Sequence, residues 1–261
     1  MGHVRLGKLP ATRAWEEVVS LMMNGNSSYE QIAQASAEAA EASLGSLAKD
    51  PIFTEVLWML CKIPQAAKEK DFSAALKNLG ISVSPDPTLA ELTQGMSRAI
   101  DRCMRDNTSG RNDFGEMARH AAISSLTAMV QANTPSLWAP TTEDVRHTVA
   151  HFASPAHFGS LAQEFFSRFT QRNLRYYLDR ETPKHVGPGK YIPSLKGLDS
   201  FHEGLQHHCQ ESSVIMRTFA KDWYGKKYAR NEEITRKGVK GFSHVTVKKM
   251  RNELIQRRKS K

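Results

Sequence analysis

The sequence has few of the features that mark membrane or secreted proteins. Its 261 residues contain no run of about 18 apolar residues, so no membrane-spanning helix is predicted. The N-terminal segment has no apolar stretch of the kind found in signal peptides. Cys61, Cys103 and Cys209 are odd in number and far apart, which fits neither a disulfide framework nor a paired-cysteine metal site. We therefore expect a soluble cytoplasmic protein whose cysteines are reduced.

Motifs that would assign a reaction are missing as well. The chain has no Gly-x-Ser-x-Gly nucleophile turn, no His-Glu-x-x-His zinc motif and no phosphate-binding loop in which Ser or Thr follows the lysine. Each of these motifs places a reactive or ligand-binding group in a defined backbone context. Their absence leaves the sequence without a catalytic signature, so we favour a non-enzymatic protein without a cofactor over an enzyme.

Helical periodicity is the main pattern that the sequence does contain. Apolar residues recur at intervals of three and four, as in Trp15, Val18 and Met22, whereas strand-like alternation is nearly absent. This pattern predicts an all-α fold, an irregular bundle of about ten helices. A break from Pro135 to Pro140 predicts an N-terminal helical portion over 1–135 and a C-terminal one over 136–261, which could also form one continuous domain.

The net charge of +9 is concentrated at one end of the chain. Between Lys221 and Lys261 there are 14 lysine and arginine residues and four acidic ones, a net charge of +10. The other 220 residues hold 22 basic and 23 acidic residues and are nearly neutral. A localised basic segment favours a polyanionic partner such as nucleic acid or an acidic protein surface, although a solvated tail is the alternative.

Local signals in this basic segment point to phosphate binding. We predict a short helix from Asn231, a loop with two glycines over residues 237–241, and Ser243 as the N-cap of a final helix. Glycines let a ligand approach the backbone, and amides at a helix N-terminus attract phosphate. The loop resembles the hairpin of helix-hairpin-helix DNA-binding proteins, although Lys240 interrupts the Gly-hydrophobic-Gly core of that family. The resemblance implies contact with a phosphate backbone, and an ordinary turn between helices is the alternative.

The final helix should dock on the body through a narrow apolar seam, Val247, Met250 and Leu254, and turn its cations outward. We therefore hypothesise a non-enzymatic accessory or adaptor protein that docks on a partner protein and contacts nucleic acid non-specifically through its basic C-terminus. Such a protein would fit a bacterial multi-gene system, for instance one of phage defence, although no motif supports that assignment. The residues expected to bind nucleic acid are Lys237, Lys240, Lys248, Lys249, Arg251, Arg257 and Arg258.

Another segment interleaves arginines with aromatic residues between Phe165 and Arg180. Such a surface can bind single-stranded nucleic acid by stacking and charge. However, Phe165 and Phe169 fall on one face of a helix, a spacing that is more typical of a protein core. We therefore interpret the phenylalanines of this segment as core residues and its arginines as surface residues.

The alternative function is a metal-dependent enzyme. Glu143, His147 and His151 follow one another at intervals of four on one predicted helix, and Glu203 and His207 share that spacing on another. If the two sets faced each other, their imidazole and carboxylate groups could bind Zn²⁺ or Fe²⁺. Chance spacing among ten histidines is the simpler interpretation. A third alternative is a purely protein–protein adaptor whose basic C-terminus contacts an acidic partner surface.

Overall fold

The computed structural model describes residues 8–23, 27–40, 45, 47, 49–106, 112–134 and 140–256. Within these residues the chain is mainly helical and forms no β-strand, which confirms the all-α prediction. A short 3-10 helix, Thr182–His185, lies between the eighth and ninth of the described α-helices. These helices are α1 (Arg13–Met23), α2 (Tyr29–Ala39), α3 (Pro51–Ala66), α4 (Phe72–Asn78), α5 (Leu89–Asp106), α6 (Asp113–Asn133), α7 (Thr142–His151), α8 (Pro155–Glu181), α9 (Leu195–Ser212), α10 (Val214–Ala229) and α11 (Arg236–Gln256).

Several helices begin at capping residues that are visible in the sequence. At α2, the Ser28 hydroxyl accepts a hydrogen bond from the Gln31 amide at 3.2 Å, and the Gln31 side chain accepts one from the Ser28 amide at 2.7 Å. At α3, the Asp50 carboxylate accepts from the Phe53 amide at 2.7 Å, and Pro51 occupies the first helical position. These contacts satisfy backbone donors that the helix leaves open, so they determine where α2 and α3 begin.

Helix α8 lies at the centre of the core. It packs against α2, α6, α9 and α10, and its Phe165, Phe166 and Phe169 are fully buried. The ring centroid of Phe53, in α3, lies 5.9, 6.3 and 5.1 Å from the centroids of those three rings. Tilted aromatic pairs at such distances are favourable beyond the area that they bury. The interpretation of these phenylalanines as core residues is confirmed.

The packing of α10 on α8 depends on a glycine. A Cβ atom at Gly159 would lie 2.5 Å from the carbonyl oxygen of Arg217, so the backbone of α10 occupies the space that any other side chain would need. Beside this crossing, Phe158 stacks on Tyr224 with ring centroids 4.4 Å apart. The absence of a side chain at Gly159 therefore allows the two helices to approach closely enough to bury both rings.

One hydrophobic cluster contains residues from both portions that the sequence predicts. Trp58 of α3 and Phe242 of α11, for example, belong to the same set of buried side chains. The predicted boundary lies largely in residues 135–139, outside the described residues, so the division into two portions stays a prediction. None of the described helices is long and apolar enough to cross a membrane.

The predicted loop over residues 237–241 is wrong, because these residues belong to α11. The true start signal is Thr235, whose hydroxyl accepts a hydrogen bond from the Gly238 amide at 3.2 Å. Asn231 begins no helix. It adopts a left-handed conformation with φ of 50° in the turn after α10.

The predicted N-cap at Ser243 is also wrong. Ser243 is a fully buried residue inside α11, which runs without a break from Arg236 to Gln256. Val239 and Phe242 are buried on either side of the glycine at 241. Their burial explains why tertiary packing overrides the weak helix propensity of this glycine-containing stretch.

Replacing Phe165 or Phe169 by alanine should lower the free energy of unfolding by roughly 3–5 kcal/mol, because each change removes a fully buried ring. Urea unfolding followed by circular dichroism measures this loss. Leu195→Ala serves as the control, since that side chain is exposed and its removal should change stability by less than about 0.5 kcal/mol. A Phe165→Ala variant as stable as the wild type would contradict the assignment of this ring to the core.

Gly159→Ala should also be destabilising, by about 1–3 kcal/mol, because the added methyl group meets backbone that cannot rotate away. The measurement is again urea unfolding. The effect runs against helix propensity, which favours alanine, so a more stable Gly159→Ala protein would show that α8 and α10 do not cross this closely.

Candidate nucleic-acid interface

Helix α11 docks on the bundle from Val239 to Met250. Val247 and Met250, two residues of the predicted apolar seam, are buried, while the side chain of Leu254 lies outside the described residues. The predicted docking of this helix is therefore confirmed for the first two seam residues. The buried face is wider than the seam and contains Val239, Phe242, Ser243, Thr246, Val247 and Met250.

The N-terminal end of α11 is held by residues of α3. The indole nitrogen of Trp58 donates to the carbonyl oxygen of Ile234 at 3.2 Å. Arg236 donates two hydrogen bonds to the Glu55 carboxylate, at 2.6 and 2.8 Å, and its guanidinium lies 3.6 Å from the centroid of a Trp58 ring. These hydrogen bonds to Glu55 raise the pKa of the Arg236 guanidinium. Arg236 is therefore a structural cation, already engaged by a carboxylate and an aromatic ring.

Three of the remaining cations of α11 lie on its outer face. Lys237, Lys240 and Lys248 are exposed, and His244, also exposed, lies between the last two. Intervals of three and four place these four residues along one line of the helix, which we call the basic stripe. At 1.5 Å per residue, the stripe runs for about 16 Å. Among the described residues no acidic side chain forms an ion pair with its three lysines.

The other predicted nucleic-acid-binding residues have different positions. Lys249 is half-buried beside α10, with its ammonium 5.3 Å from the centroid of the Phe219 ring, so it lies off the basic stripe. Arg251 continues the spacing of the stripe, but its side chain lies outside the described residues. Arg257 and Arg258 also lie outside them. The structure thus brings Lys237, Lys240 and Lys248 together and places Lys249 on the neighbouring face.

Gly241 leaves the helix backbone exposed beside the basic stripe. A Cβ atom built at Gly241 meets no atom within 4 Å, so packing gives no reason for a glycine there. Glycine in a helix interior costs about 1 kcal/mol relative to alanine. Its presence leaves the backbone of α11 open to a ligand between Lys240 and His244.

The aromatic and arginine-rich segment offers a poorer surface for a polyanion. Its phenylalanines are buried, and two of its arginines are paired within α8. Arg168 donates to Glu164 at 2.5 Å, and Arg175 lies 3.0 Å from Asp179. Carboxylates at these positions offset the charge that a phosphate would otherwise meet.

The residues of the alternative metal site are not brought together. Helix α7, with Glu143, His147 and His151, packs mainly on α3 and α6, whereas α9, with Glu203 and His207, packs mainly on α2, α8, α10 and α11. All five side chains are exposed. The rings of His147 and His151 do lie close together, with centroids 4.5 Å apart. Within the described part of the chain, no group of three or more His, Cys, Asp or Glu side chains is able to hold a metal ion.

The cysteines have the character of structural thiols. All three are free; Cys61 and Cys209 are fully buried, and Cys103 is partly exposed. Burial raises the pKa of each thiol, most strongly for Cys61 and Cys209. Since the thiolate is the reactive form, these environments oppose nucleophilic chemistry at neutral pH.

Comparison of the chain with known protein families, with curated proteins and with solved structures finds no match.

Gly241→Ala should stabilise the protein by about 0.5–1 kcal/mol, because alanine favours the helix and its methyl group meets open space. Thermal and urea unfolding measure the gain. This substitution mirrors Gly159→Ala, for which the same chemical change is expected to destabilise. Loss of stability on Gly241→Ala would indicate that residue 241 needs a conformation that alanine resists, as in a loop.

Proposed function

We propose that this protein binds the phosphate backbone of nucleic acids through the basic stripe of α11, without reading the sequence. The observation that carries the proposal is the set of three exposed lysines on one firmly docked helix face, with no carboxylate paired to them among the described residues. Their ammonium groups are free to exchange bound water and counterions for phosphate oxygens.

The charge of α11 supports a polyanionic ligand. Residues 236–256 contain six basic residues and one acidic residue. Residues 1–220, by contrast, are nearly neutral. A basic face on a neutral body attracts a polyanion to one place and orients it there. The docking of α11 also favours binding. Because buried Val247 and Met250 hold the helix on the bundle, no folding step is needed to align its lysines when a ligand binds.

The chemistry of the stripe favours binding without sequence preference. Lysine ammonium groups act as point charges and suit phosphate contacts, while base edges are read chiefly by planar or bidentate side chains such as arginine, asparagine and glutamine. The described side chains of the stripe are lysines and one histidine. Phosphate contacts position a ligand, and they carry no direct sequence information.

Further parts of the hypothesis stay predictions from the sequence. They are docking on a partner protein, a non-enzymatic accessory role, and membership of a bacterial multi-gene system such as one of phage defence. The purely protein–protein adaptor also stays open, and the test of nucleic-acid binding bears on it directly. An adaptor that uses the stripe only for an acidic protein surface should show little affinity for nucleic acid.

The test is a triple variant, Lys237→Gln, Lys240→Gln and Lys248→Gln, titrated with duplex and single-stranded oligonucleotides at several salt concentrations. For the wild type we expect the logarithm of affinity to fall with the logarithm of salt at a slope of about −4 to −5 on duplex DNA. Removing three phosphate contacts should make that slope shallower by about 3, since each contributes roughly −0.9. Substitution is preferable to truncation, because α11 also forms part of the core.

A charge-matched control separates the stripe from net charge alone. Lys49, Lys77 and Lys196 are exposed lysines of other segments, and changing all three to glutamine removes the same charge. We expect this control to keep most of the affinity and nearly the full slope. The proposal fails if wild-type protein binds no oligonucleotide at about 50 mM salt, or if both triple variants lose affinity equally.

A further inference from the structure

Three aromatic rings form a seam where α10 and α11 meet. The Phe219 and Phe242 rings are nearly parallel, 3° apart in angle and 5.5 Å apart between centroids, and the Trp223 ring lies 4.4 Å from that of Phe242. Phe242 is buried, whereas Phe219 and Trp223 are each partly exposed to solvent. We call Phe219, Trp223 and Phe242 the aromatic seam.

The seam is set apart from the core face of α10. That face is formed by Met216, Ala220 and Tyr224, all of them buried. Phe219 and Trp223 are displaced by one residue from these positions, which turns them toward α11 and leaves part of each ring at the surface. Large rings at a surface offer contact area with little loss of side-chain entropy on binding.

The seam lies beside the basic stripe. At 3.6 residues per turn, positions 238, 241 and 245 of α11 fall between Phe242 and the line of Lys237 and Lys248. Two of these positions are glycines, and Val245 is the only one of the three with a larger side chain. A nucleic-acid strand lying along the basic stripe would therefore meet only one larger side chain, that of Val245, between the stripe and the rings.

Charges around the seam match an anionic ligand. The Lys249 ammonium lies 5.3 Å from the Phe219 ring centroid, and Lys226 of α10 is exposed one turn beyond Trp223. The acidic neighbours are Asp222, exposed on α10, and Glu253, partly exposed one turn after Lys249 on α11. With the stripe on the other side, cations outnumber acidic groups around the rings, which favours a nucleic-acid strand over an apolar protein surface.

We infer that the ligand class is single-stranded nucleic acid, whose phosphates follow the basic stripe while one or two unpaired bases stack on Phe219 and Trp223. This inference rests on the proposed function. Base stacking on aromatic side chains requires a base whose face is accessible, and in a duplex each face is covered by its neighbours. Stacking tolerates any sequence, in keeping with a stripe that carries no base readout.

The experiment compares a single-stranded oligonucleotide of about 20 nucleotides with the duplex of the same sequence, at one salt concentration. Wild-type protein should bind the single strand more tightly. Trp223→Leu should weaken single-strand binding about tenfold and leave duplex binding and both salt slopes unchanged, because no charge is removed.

Tyr228→Leu is the matched control. Tyr228 also lies in α10, has an exposed ring, and has a lysine ammonium, that of Lys68, 5.6 Å from its ring centroid. It follows Trp223 by five residues and so points to a different side of the helix. We expect Tyr228→Leu to bind both oligonucleotides as the wild type does, and equal losses in the two variants would overturn the assignment of bases to the seam.

A second readout remains informative even if Trp223→Leu is unstable. Trp223→Phe keeps an aromatic ring, so it should fold and bind, but it removes the indole that reports on a stacked base. Addition of the single strand should quench the tryptophan fluorescence of the wild type, and Trp223→Phe should lose most of that quenching. Unchanged quenching in Trp223→Phe would show that no base stacks on Trp223.

The outcomes separate the two proposals. Equal affinity for single strand and duplex, with Trp223→Leu unchanged and the lysine triple variant impaired, overturns the inference and leaves phosphate binding in place. No binding of either oligonucleotide by the wild type overturns both. A wild type that instead self-associates through the seam, losing its dimer in Trp223→Leu, assigns the rings to a second copy of the chain and also overturns the inference.

Discussion

The aromatic contact between Phe53 of α3 and the phenylalanines of α8 joins α3 to the helix on which α2, α6, α9 and α10 pack. The centroids of three buried rings of α8 lie 5.1 to 6.3 Å from the centroid of the buried Phe53 ring. Because α8 fixes α10 at the Gly159 crossing, and α10 packs on α11, the position of the C-terminal helix follows from this aromatic core. The candidate interface is thus connected to the buried aromatic core through α10.

The dependence of α11 on that core has a physical reason. Its sequence is a poor helix former by itself, since it includes two glycines and five β-branched residues, Val239, Val245, Thr246, Val247 and Ile255. Lysines along one face repel one another and oppose the helix further. Burial of the opposite face supplies the stabilisation that local propensity lacks. A ligand therefore meets lysines whose spacing is already set, which reduces the entropy lost on binding.

The cations of this protein differ in what surrounds them, and that difference bears on function. Arg236, Arg168 and Arg175 carry the same formal charge as the lysines of the stripe, but each lies beside a carboxylate. Lys237, Lys240 and Lys248 have no such partner among the described residues. Because a paired cation has already exchanged much of its hydration for a carboxylate, the lysines of the stripe are the ones available to phosphate.

The sequence by itself determined the features that depend on residues close to one another along the chain. Ser28 and Asp50, which cap α2 and α3, are capping residue types that can be read in the sequence, and apolar spacing placed Phe165 and Phe169 in the core. The concentration of positive charge near the C-terminus was also evident, because it follows from counting basic and acidic residues along the chain. Even the true cap of α11, Thr235, was a readable signal that the glycines after it obscured.

Only the tertiary structure decided which of these residues act together. It made residues 237–241 helical through the burial of Val239 and Phe242, paired Arg236 with Glu55 from a distant helix, and placed His147 and His207 on helices that do not pack closely together. It also brought Trp223 beside α11, a neighbour that no local pattern indicates. Caps and periodicity act within a few residues of the chain, whereas these contacts join residues far apart in sequence, so their outcome depends on how the whole core packs.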